Sequence, residues 1–275
     1  MGAGIAHATA QHGFPTVLID VNEACLDRAL AVIDTNLSRQ AKKGVIEMGT
    51  EPDVLARIET TTEFAPALES ADMMIEAVPE KMETKREIFE LADRRAPPGA
   101  ILASNTSSIS ITSLGAFTSR PGSVIGMHFM NPVPVMKLVE VVRGLATDDD
   151  TVDAVVGLTR RLAKTPVEVS DFPGFVSNRI LMPMINEAVF ALMEGVADAD
   201  SIDDVMRLGM NHPLGPLALA DLIGLDVCLD ILGVLHDQLG DDRYRPCPLL
   251  RKHVEAGWLG RKSGRGFHAY PASGR

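Results

Sequence analysis

The sequence contains little cysteine, few aromatic residues and no excess of positive charge. Its three cysteines, Cys25, Cys228 and Cys247, lack the spacing of a metal site and cannot all pair with one another. We therefore expect reduced thiols in a cytosolic protein and no bound metal. Lys and Arg number 26 against 37 Asp and Glu, and the resulting net charge of −11 argues against a nucleic-acid-binding protein, whose surface would be basic.

Long apolar runs are also missing. A membrane helix needs roughly 18 consecutive apolar residues, and the apolar stretch at residues 180–193 is interrupted by Pro183, Asn186 and Glu187. The first residues lack the basic start and long apolar core of a signal peptide. We therefore expect a cytoplasmic protein without a membrane partner. Its 275 residues are enough for one large domain or two smaller ones.

The first two-thirds of the chain alternates between helical patterns and short apolar runs. Helices are predicted at residues 1–12, 23–43 and 80–95. Buried strands are predicted at residues 16–19, 73–78, 101–103, 124–129 and 137–142. This alternation is typical of a parallel sheet with helices on both faces, whereas the sequence after residue 170 is helical with no clear strand. We predict an α/β protein with a Rossmann-like, doubly wound domain at residues 1–170 and a smaller all-helical domain at residues 171–275.

The start of the chain carries part of a dinucleotide-binding pattern. Asp20 ends a predicted strand 18 residues after Gly2 (20 − 2 = 18), the spacing of a carboxylate that binds the adenosine ribose. A residue that starts a turn or caps the next helix would look the same. His7 does not fit a glycine motif that opens at Gly2, so we interpret Gly2 as the third glycine of the motif. The first strand and two glycines would then lie upstream, and we expect the chain as given to bind a dinucleotide poorly.

Polar residues at the ends of predicted strands mark a second candidate site. They are the turn at residues 104–108, His128 and Glu140. A chain reversal centred on Pro134 would place His128 opposite Glu140, since (128 + 140)/2 = 134. A carboxylate that holds one imidazole nitrogen protonated leaves the other nitrogen to act as a base. A buried structural histidine and a glutamate at a sheet edge remain an alternative interpretation.

Longer motifs surround these residues. They are residues 102–108 (LASNTSS), 128–140 (HFMNPVPVMKLVE), 173–179 (PGFVSNR), 243–246 (RYRP) and 260–264 (GRKSG). Together they resemble the 3-hydroxyacyl-CoA dehydrogenase family, in its short-chain 3-hydroxybutyryl-CoA dehydrogenase branch, from end to end. The resemblance implies interconversion of L-3-hydroxyacyl-CoA and 3-ketoacyl-CoA with NAD(H), as in fatty-acid or butanoate metabolism.

The resemblance also implies roles for individual residues. His128 would be the general base, Glu140 would orient it, and Ser107 and Asn178 would hydrogen-bond the reacting oxygen and neighbouring substrate groups. Asp20 would bind the adenine ribose. The other positions expected to contact NAD are Gly2, Ala77, Glu80, Lys85, Asn105, Ser107, Asn131 and Lys262. Arg39 and Lys43 lie one helical turn apart, where the family meets the CoA phosphates, although a solvated basic helix face would show the same spacing.

The sequence is also compatible with two other functions, and it departs from the family's usual residues at two positions. A related β-hydroxyacid dehydrogenase would use a catalytic lysine, and a member without a working cofactor site would serve as a CoA-binding or structural protein. Ala218 replaces a common acidic residue of the family, and His268 replaces a common tyrosine. The helical domain, apolar on more than one face at residues 180–193 and 214–235, is expected to form a homodimer.

The sequence predicts a preference for NAD(H) over NADP(H). Asp20 can accept hydrogen bonds from ribose hydroxyls but would repel a 2′-phosphate, and residues 21–23 (VNE) supply no positive charge to offset that repulsion. We expect a higher kcat/KM with NADH than with NADPH when steady-state rates are compared. Equal values would show that Asp20 does not face the ribose.

Overall fold

The computed structural model describes residues 1–271. The chain divides into two compact units, the first at residues 1–171 and the second from Phe172 onward. No helix among the described residues is long and apolar enough to cross a membrane.

Seven strands belong to the first unit. They are β1 (Thr16–Ile19), β2 (Ile58–Thr61), β3 (Met73–Glu76), β4 (Ile101–Ser104), β5 (Val124–Phe129), β6 (Leu138–Arg143) and β7 (Thr165–Ser170). β1 and β2 form a parallel pair, and the other five form a sheet in the order β3-β4-β5-β6-β7. The seven helices of this unit are α1 (Gly2–Gln11), α2 (Glu23–Lys42), α3 (Glu51–Leu55), α4 (Phe64–Leu68), α5 (Met82–Arg95), α6 (Ile111–Gly115) and α7 (Asp149–Arg161).

The Rossmann-like fold class is confirmed, and the sheet is parallel except at the predicted chain reversal. β6 runs antiparallel to β5, and every other pair in the larger sheet is parallel. Only eight residues separate β5 from β6, too few for the crossover that parallel neighbours require. The chain therefore reverses directly, and the predicted placement of His128 opposite Glu140 is confirmed by the strand register.

Two strands of the first unit were not predicted. β2 (IETT) has two exposed central residues, so it lacks the continuous apolar run that marks a buried strand. β7 (TPVEVS) contains a proline and alternates between apolar and polar residues, which weakens the same signal. Both strands pair in parallel with a neighbour that was predicted, β1 and β6 respectively.

Apolar side chains on one face of the larger sheet form a core of the first unit. Ile125 and Met127 of β5 and Val139 and Val141 of β6 are fully buried and pack with Val155 of α7. A second cluster packs α1 against α2 through residues such as Ala10 and Ile33. The core therefore fixes the β5–β6 hairpin from both strands.

The second unit is helical, as predicted. Its helices are α8 (Ser177–Met193), α9 (Ala199–Asp204), α10 (Pro216–Ile223), α11 (Leu225–Leu239) and α12 (Pro248–Glu255), with a π-helical turn at Val205–Gly209. α8 continues through Pro183 and buries Met182, Ile185 and Val189 against α10 and α11. Two isolated bridges near Arg265 are the only extended pairings among the described residues of this unit.

A buried histidine joins α1 to α2. The His7 ring is 0% exposed, and its Nε2 donates to Gln11 Oε1 at 2.9 Å and Gln40 Oε1 at 3.2 Å. Nδ1 has no hydrogen-bond partner within residues 1–271. Burial lowers the pKa of His7 below its ordinary value of 6.5, because a charged ring would lose its solvation here.

This geometry predicts that acid weakens the fold through His7. The unfolded chain binds a proton near pH 6.5, whereas the folded chain resists it until a lower pH, so the free energy of unfolding falls as the pH drops below 6.5. In urea titrations at pH 7.5 and 5.5, we expect His7→Leu to lose less stability on acidification than the wild type. His212→Gln, at a partly exposed histidine, is the control and should behave as the wild type; the same behaviour in His7→Leu would contradict the prediction.

Candidate active site

His128 and Glu140 face each other across the β5–β6 hairpin. They are register partners, and His128 Nδ1 lies 2.7 Å from Glu140 Oε2. His128 is 8% exposed and Glu140 is 2% exposed, so the pair is largely shielded from water. The low local polarity strengthens the electrostatic part of this contact.

The partner atoms fix the tautomer of the histidine. A carboxylate oxygen only accepts hydrogen bonds, so a 2.7 Å contact requires the proton of His128 to reside on Nδ1. In the neutral ring Nε2 is then the basic nitrogen. Glu140 also stabilises the positive ring that forms when Nε2 takes a proton. The pair therefore has the chemistry of a general base with its orienting group.

The polar turn after β4 wraps around the carboxylate of Glu80. Glu80 Oε1 accepts hydrogen bonds from the backbone N–H groups of Ser107 at 2.9 Å and Ser108 at 3.0 Å, and from the Thr106 hydroxyl. Burial raises the pKa of Glu80, but the charge of Lys85 and these hydrogen bonds outweigh it, so the pKa lies below its ordinary value of 4.5. The ionised carboxylate holds Ser107 in a fixed loop.

A buried ion pair supports this loop from below. Lys85 Nζ donates to both carboxylate oxygens of Glu76, at 2.7 and 2.9 Å, and lies 3.2 Å from Glu80 Oε2. The Ser104 hydroxyl donates to Glu76 at 2.6 Å, across the β3–β4 pair. Lys85 therefore joins two carboxylates that come from the carboxyl end of one strand.

The expected NAD contacts of the first unit lie at the carboxyl ends of the strands, where open α/β sheets bind ligands. Ala77 and Glu80 follow β3, and Asn105 follows β4. Asn105 Oδ1 accepts from the Phe129 N–H at 2.9 Å, which ties the turn after β4 to the end of β5. Asn131 is exposed in the β5–β6 loop, next to a cis bond to Pro132.

The amino end of α1 and the end of β1 offer the groups that a dinucleotide needs. Asp20 directly follows β1, is exposed, and accepts a hydrogen bond from the Val21 N–H at 2.7 Å. Gly2 starts α1, where unpaired N–H groups favour an anion. A Cβ on Gly2 would lie 3.8 Å from Ala77, whereas one on Gly4 would lie 3.0 Å from Val133 Cβ. α1 therefore packs more closely against its neighbours at Gly4 than at Gly2.

Four expected site residues lie in other parts of the chain than the buried ion pair and the turn after β4. Arg39 and Lys43 are both exposed at the carboxyl end of α2, one turn apart. In the second unit, Lys262 Nζ donates to Asp226 Oδ2 at 2.6 Å, a partner that the sequence did not suggest. Asn178 is buried in the first turn of α8.

The two departures from the family meet at one carboxylate of the second unit. Asp203 accepts a hydrogen bond from the backbone N–H of Ala218 at 2.9 Å, and His268 Nε2 lies 2.8 Å from the same oxygen. Asp203 is 6% exposed and also accepts from the Leu217 N–H. His268 therefore joins this contact through its side chain, whereas Ala218 joins it only through its backbone.

Sequence reasoning missed Glu76 as a member of the site. A glutamate at the end of an apolar strand, MMIE, was a usable signal, because a buried carboxylate needs a partner. The partner itself, Lys85, was expected to contact NAD, and its position nine residues away on a helix gave no sign of the ion pair.

The buried Glu76–Lys85 ion pair predicts that two neighbouring cations, Lys85 and Arg86, contribute very differently to the free energy of unfolding. Lys85→Met should lower the free energy of unfolding by about 3–5 kcal/mol, because it leaves the buried Glu76 carboxylate without its counter-charge. Arg86→Met is the matched control: Arg86 is exposed in an i,i+4 pair with Glu90 and should hardly change stability. Urea denaturation of both variants tests this, and equal losses would contradict it.

Comparison with known proteins supplies the family. The family described as 3-hydroxyacyl-CoA dehydrogenase, NAD binding domain, matches residues 1–172, and the C-terminal domain of the same name matches residues 174–270. The probable 3-hydroxybutyryl-CoA dehydrogenase of Bacillus subtilis is 57% identical over 98% of this chain and 94% of its own. The 3-hydroxybutyryl-CoA dehydrogenase of Bradyrhizobium diazoefficiens is 52% identical over 98% and 92%.

A solved structure gives the same result. The crystal structure of (S)-3-hydroxybutyryl-CoA dehydrogenase from Ralstonia eutropha superposes with a TM-score of 0.95 at 48% identity, and the match covers 98% of this chain and 95% of that one. The family matches together span nearly all of the described residues. The chain, with its NAD-binding domain and its histidine–glutamate hairpin, belongs to the 3-hydroxyacyl-CoA dehydrogenase family.

Proposed function

We propose that the protein is an NAD-dependent dehydrogenase that interconverts L-3-hydroxybutyryl-CoA and acetoacetyl-CoA. The observation that carries the proposal is the buried 2.7 Å contact between His128 Nδ1 and Glu140 Oε2, on paired strands of an NAD-binding domain. Consumption of NADH with acetoacetyl-CoA tests it. Free acetoacetate is the matched control, and it should not replace the thioester.

His128 acts as the general base in the proposed reaction. Its Nε2 takes the proton of the substrate's 3-hydroxyl group, and Glu140 stabilises the positive ring through Nδ1. In the reverse direction the protonated ring returns that proton to the carbonyl oxygen, so low pH favours reduction. A base of this kind contributes about 10²–10⁴-fold in rate.

Ser107 of the first unit and Asn178 of the second are the residues that we propose to hydrogen-bond the substrate. Each offers polar groups to the reacting oxygen or its neighbours, and the Glu80 carboxylate holds the Ser107 backbone at 2.9 Å. Ordering a hydroxyl before substrate arrives reduces the entropy lost in the transition state. Arg39 and Lys43, two exposed cations on one helix face, would meet the CoA phosphates.

The residues present fit NAD as the cofactor. The exposed Asp20 carboxylate suits ribose hydroxyls, and the amino end of α1 suits the pyrophosphate. Ala77, Asn105 and Asn131 lie at the ends of neighbouring strands. They would face the remaining part of the NAD molecule. Bound NAD supplies the hydride acceptor or donor of the reaction, and the protein supplies orientation and the proton.

We further propose that the second unit forms a homodimer. An apolar groove of about 420 Å³ lies there, and six of its lining residues are Met184, Ala188, Val196, Ile202, Val205 and Pro216. Val196 is 73% exposed and Val205 is 61% exposed, next to Leu208 at 77%. Neighbouring apolar residues at this exposure mark a protein interface, and a second copy would cover them. Light scattering at micromolar concentration should give twice the chain mass; a monomer would contradict the proposal.

The dyad predicts a selective loss of turnover. His128→Gln should lower kcat by about 10²–10⁴-fold with little change in NADH affinity, because it removes the base and keeps the shape. Glu140→Gln should also slow turnover. His236→Gln is the matched control: His236 Nε2 lies 3.4 Å from Asp242, in an exposed pair of the second unit. Near-wild-type turnover in His128→Gln would overturn the mechanism.

A further inference from the structure

Lys164 is a buried cation that neither the sequence motifs nor the mechanism uses. It is 9% exposed, and its Nζ donates to the backbone carbonyls of Val133 at 2.6 Å and Met136 at 2.7 Å. Both carbonyls belong to the loop at residues 130–137, which joins the strand of His128 to the strand of Glu140. Within residues 1–271 the ammonium has no carboxylate partner within 4 Å.

We propose that Lys164 is a positioning residue for the His128–Glu140 pair. By holding the carbonyls of the 130–137 loop, it keeps the end of the β5–β6 hairpin in register and thereby keeps the dyad aligned for proton transfer. This inference rests on the proposed function. It assigns Lys164 an indirect role, through the 130–137 loop.

The charge of Lys164 supports a specific role for its two hydrogen bonds. Burial lowers the pKa of the ammonium below its ordinary value of 10.5. Keeping the charged group inside the protein therefore costs free energy of folding. A charged donor makes shorter and stronger hydrogen bonds to carbonyl oxygens than a neutral one. The long side chain also allows one ammonium to donate to two carbonyls that are three residues apart.

The residues on either side of Lys164 are also fixed in position. Ala163 has a left-handed conformation, with φ of 53°, in the turn between α7 and β7. A residue with a side chain rarely adopts this conformation, so the surrounding contacts must hold it. Thr165 follows Lys164, and its backbone N–H donates to the Lys137 carbonyl at 2.7 Å. This hydrogen bond starts the β6–β7 ladder. Lys164 and Thr165 therefore hold the loop through hydrogen bonds to three of its carbonyl groups.

The loop also contacts α1. Val133 packs against Gly4 of α1, where even a Cβ atom would approach to 3.0 Å. The loop is thus held both by α1 and by Lys164. His128 and Glu140 form the second pair from the loop, after Phe129 and Val139. Loosening the loop opens the ladder from this end, so the dyad is among the first pairs affected.

The test uses Lys164→Met, which keeps the apolar stem and removes the donors. We expect kcat with acetoacetyl-CoA to fall by about 10–100-fold, the size of effect that a small misplacement of reacting groups produces. Arg160→Met is the matched control, at an exposed cation in the last turn of α7, and should retain wild-type kcat. Circular dichroism and melting curves establish that each variant is folded.

A double-mutant cycle separates positioning from general stability. If Lys164 acts through the dyad, Lys164→Met should cost far less in kcat when Glu140→Gln is already present. Fully additive effects on kcat would overturn the proposal. Lys164→Gln, whose shorter amide reaches fewer carbonyls, should lower kcat to a smaller extent and covers the case in which the methionine variant does not fold.

The outcomes also distinguish this inference from the proposed function. Wild-type protein without NADH consumption would refute the proposed function itself. Active wild-type protein together with a folded Lys164→Met or Lys164→Gln variant of wild-type kcat would refute the role of Lys164 alone.

Discussion

The hydrogen bond between His128 and Glu140 is the interaction on which the proposed chemistry depends. It exists because two residues twelve apart become direct partners in an antiparallel hairpin. A shift of one strand by one residue would turn its side chain to the other face of the sheet and separate the two. The hairpin is held by buried apolar residues of both strands and by contacts to its loop. The 2.7 Å distance is therefore a consequence of packing and register rather than of the two side chains alone.

A second set of charges orders the neighbouring strand ends. Glu76, Lys85 and Glu80 bring two carboxylates and one ammonium together, and their hydrogen bonds extend to Ser104 and to the turn at residues 106–108. Such a network is costly when incomplete, which explains why every carboxylate oxygen in it has a donor. Asn105 then connects this turn to the end of β5, so the two parts of the site form one structure.

Much of this arrangement follows from the sequence, and the failures have physical causes. The apolar runs and the symmetric spacing around Pro134 predicted the strands and the hairpin, because both are local signals. The strands β2 and β7 were not predicted, because the pattern of β2 is polar and that of β7 is interrupted by proline. The Glu76–Lys85 pair and the Lys164 contacts join elements that only the fold brings together, over nine and about thirty residues. The roles of the site residues remain predictions.

The tautomer of His128 tests the central claim most directly. Nitrogen-15 NMR of histidine-labelled protein distinguishes a protonated ring nitrogen from an unprotonated one, and His128→Gln identifies the resonance. The account predicts a neutral ring with its proton on Nδ1, bonded to Glu140, and with Nε2 unprotonated. This preference should be lost in Glu140→Gln. A neutral His128 that carries its proton on Nε2 in the wild-type protein would contradict it.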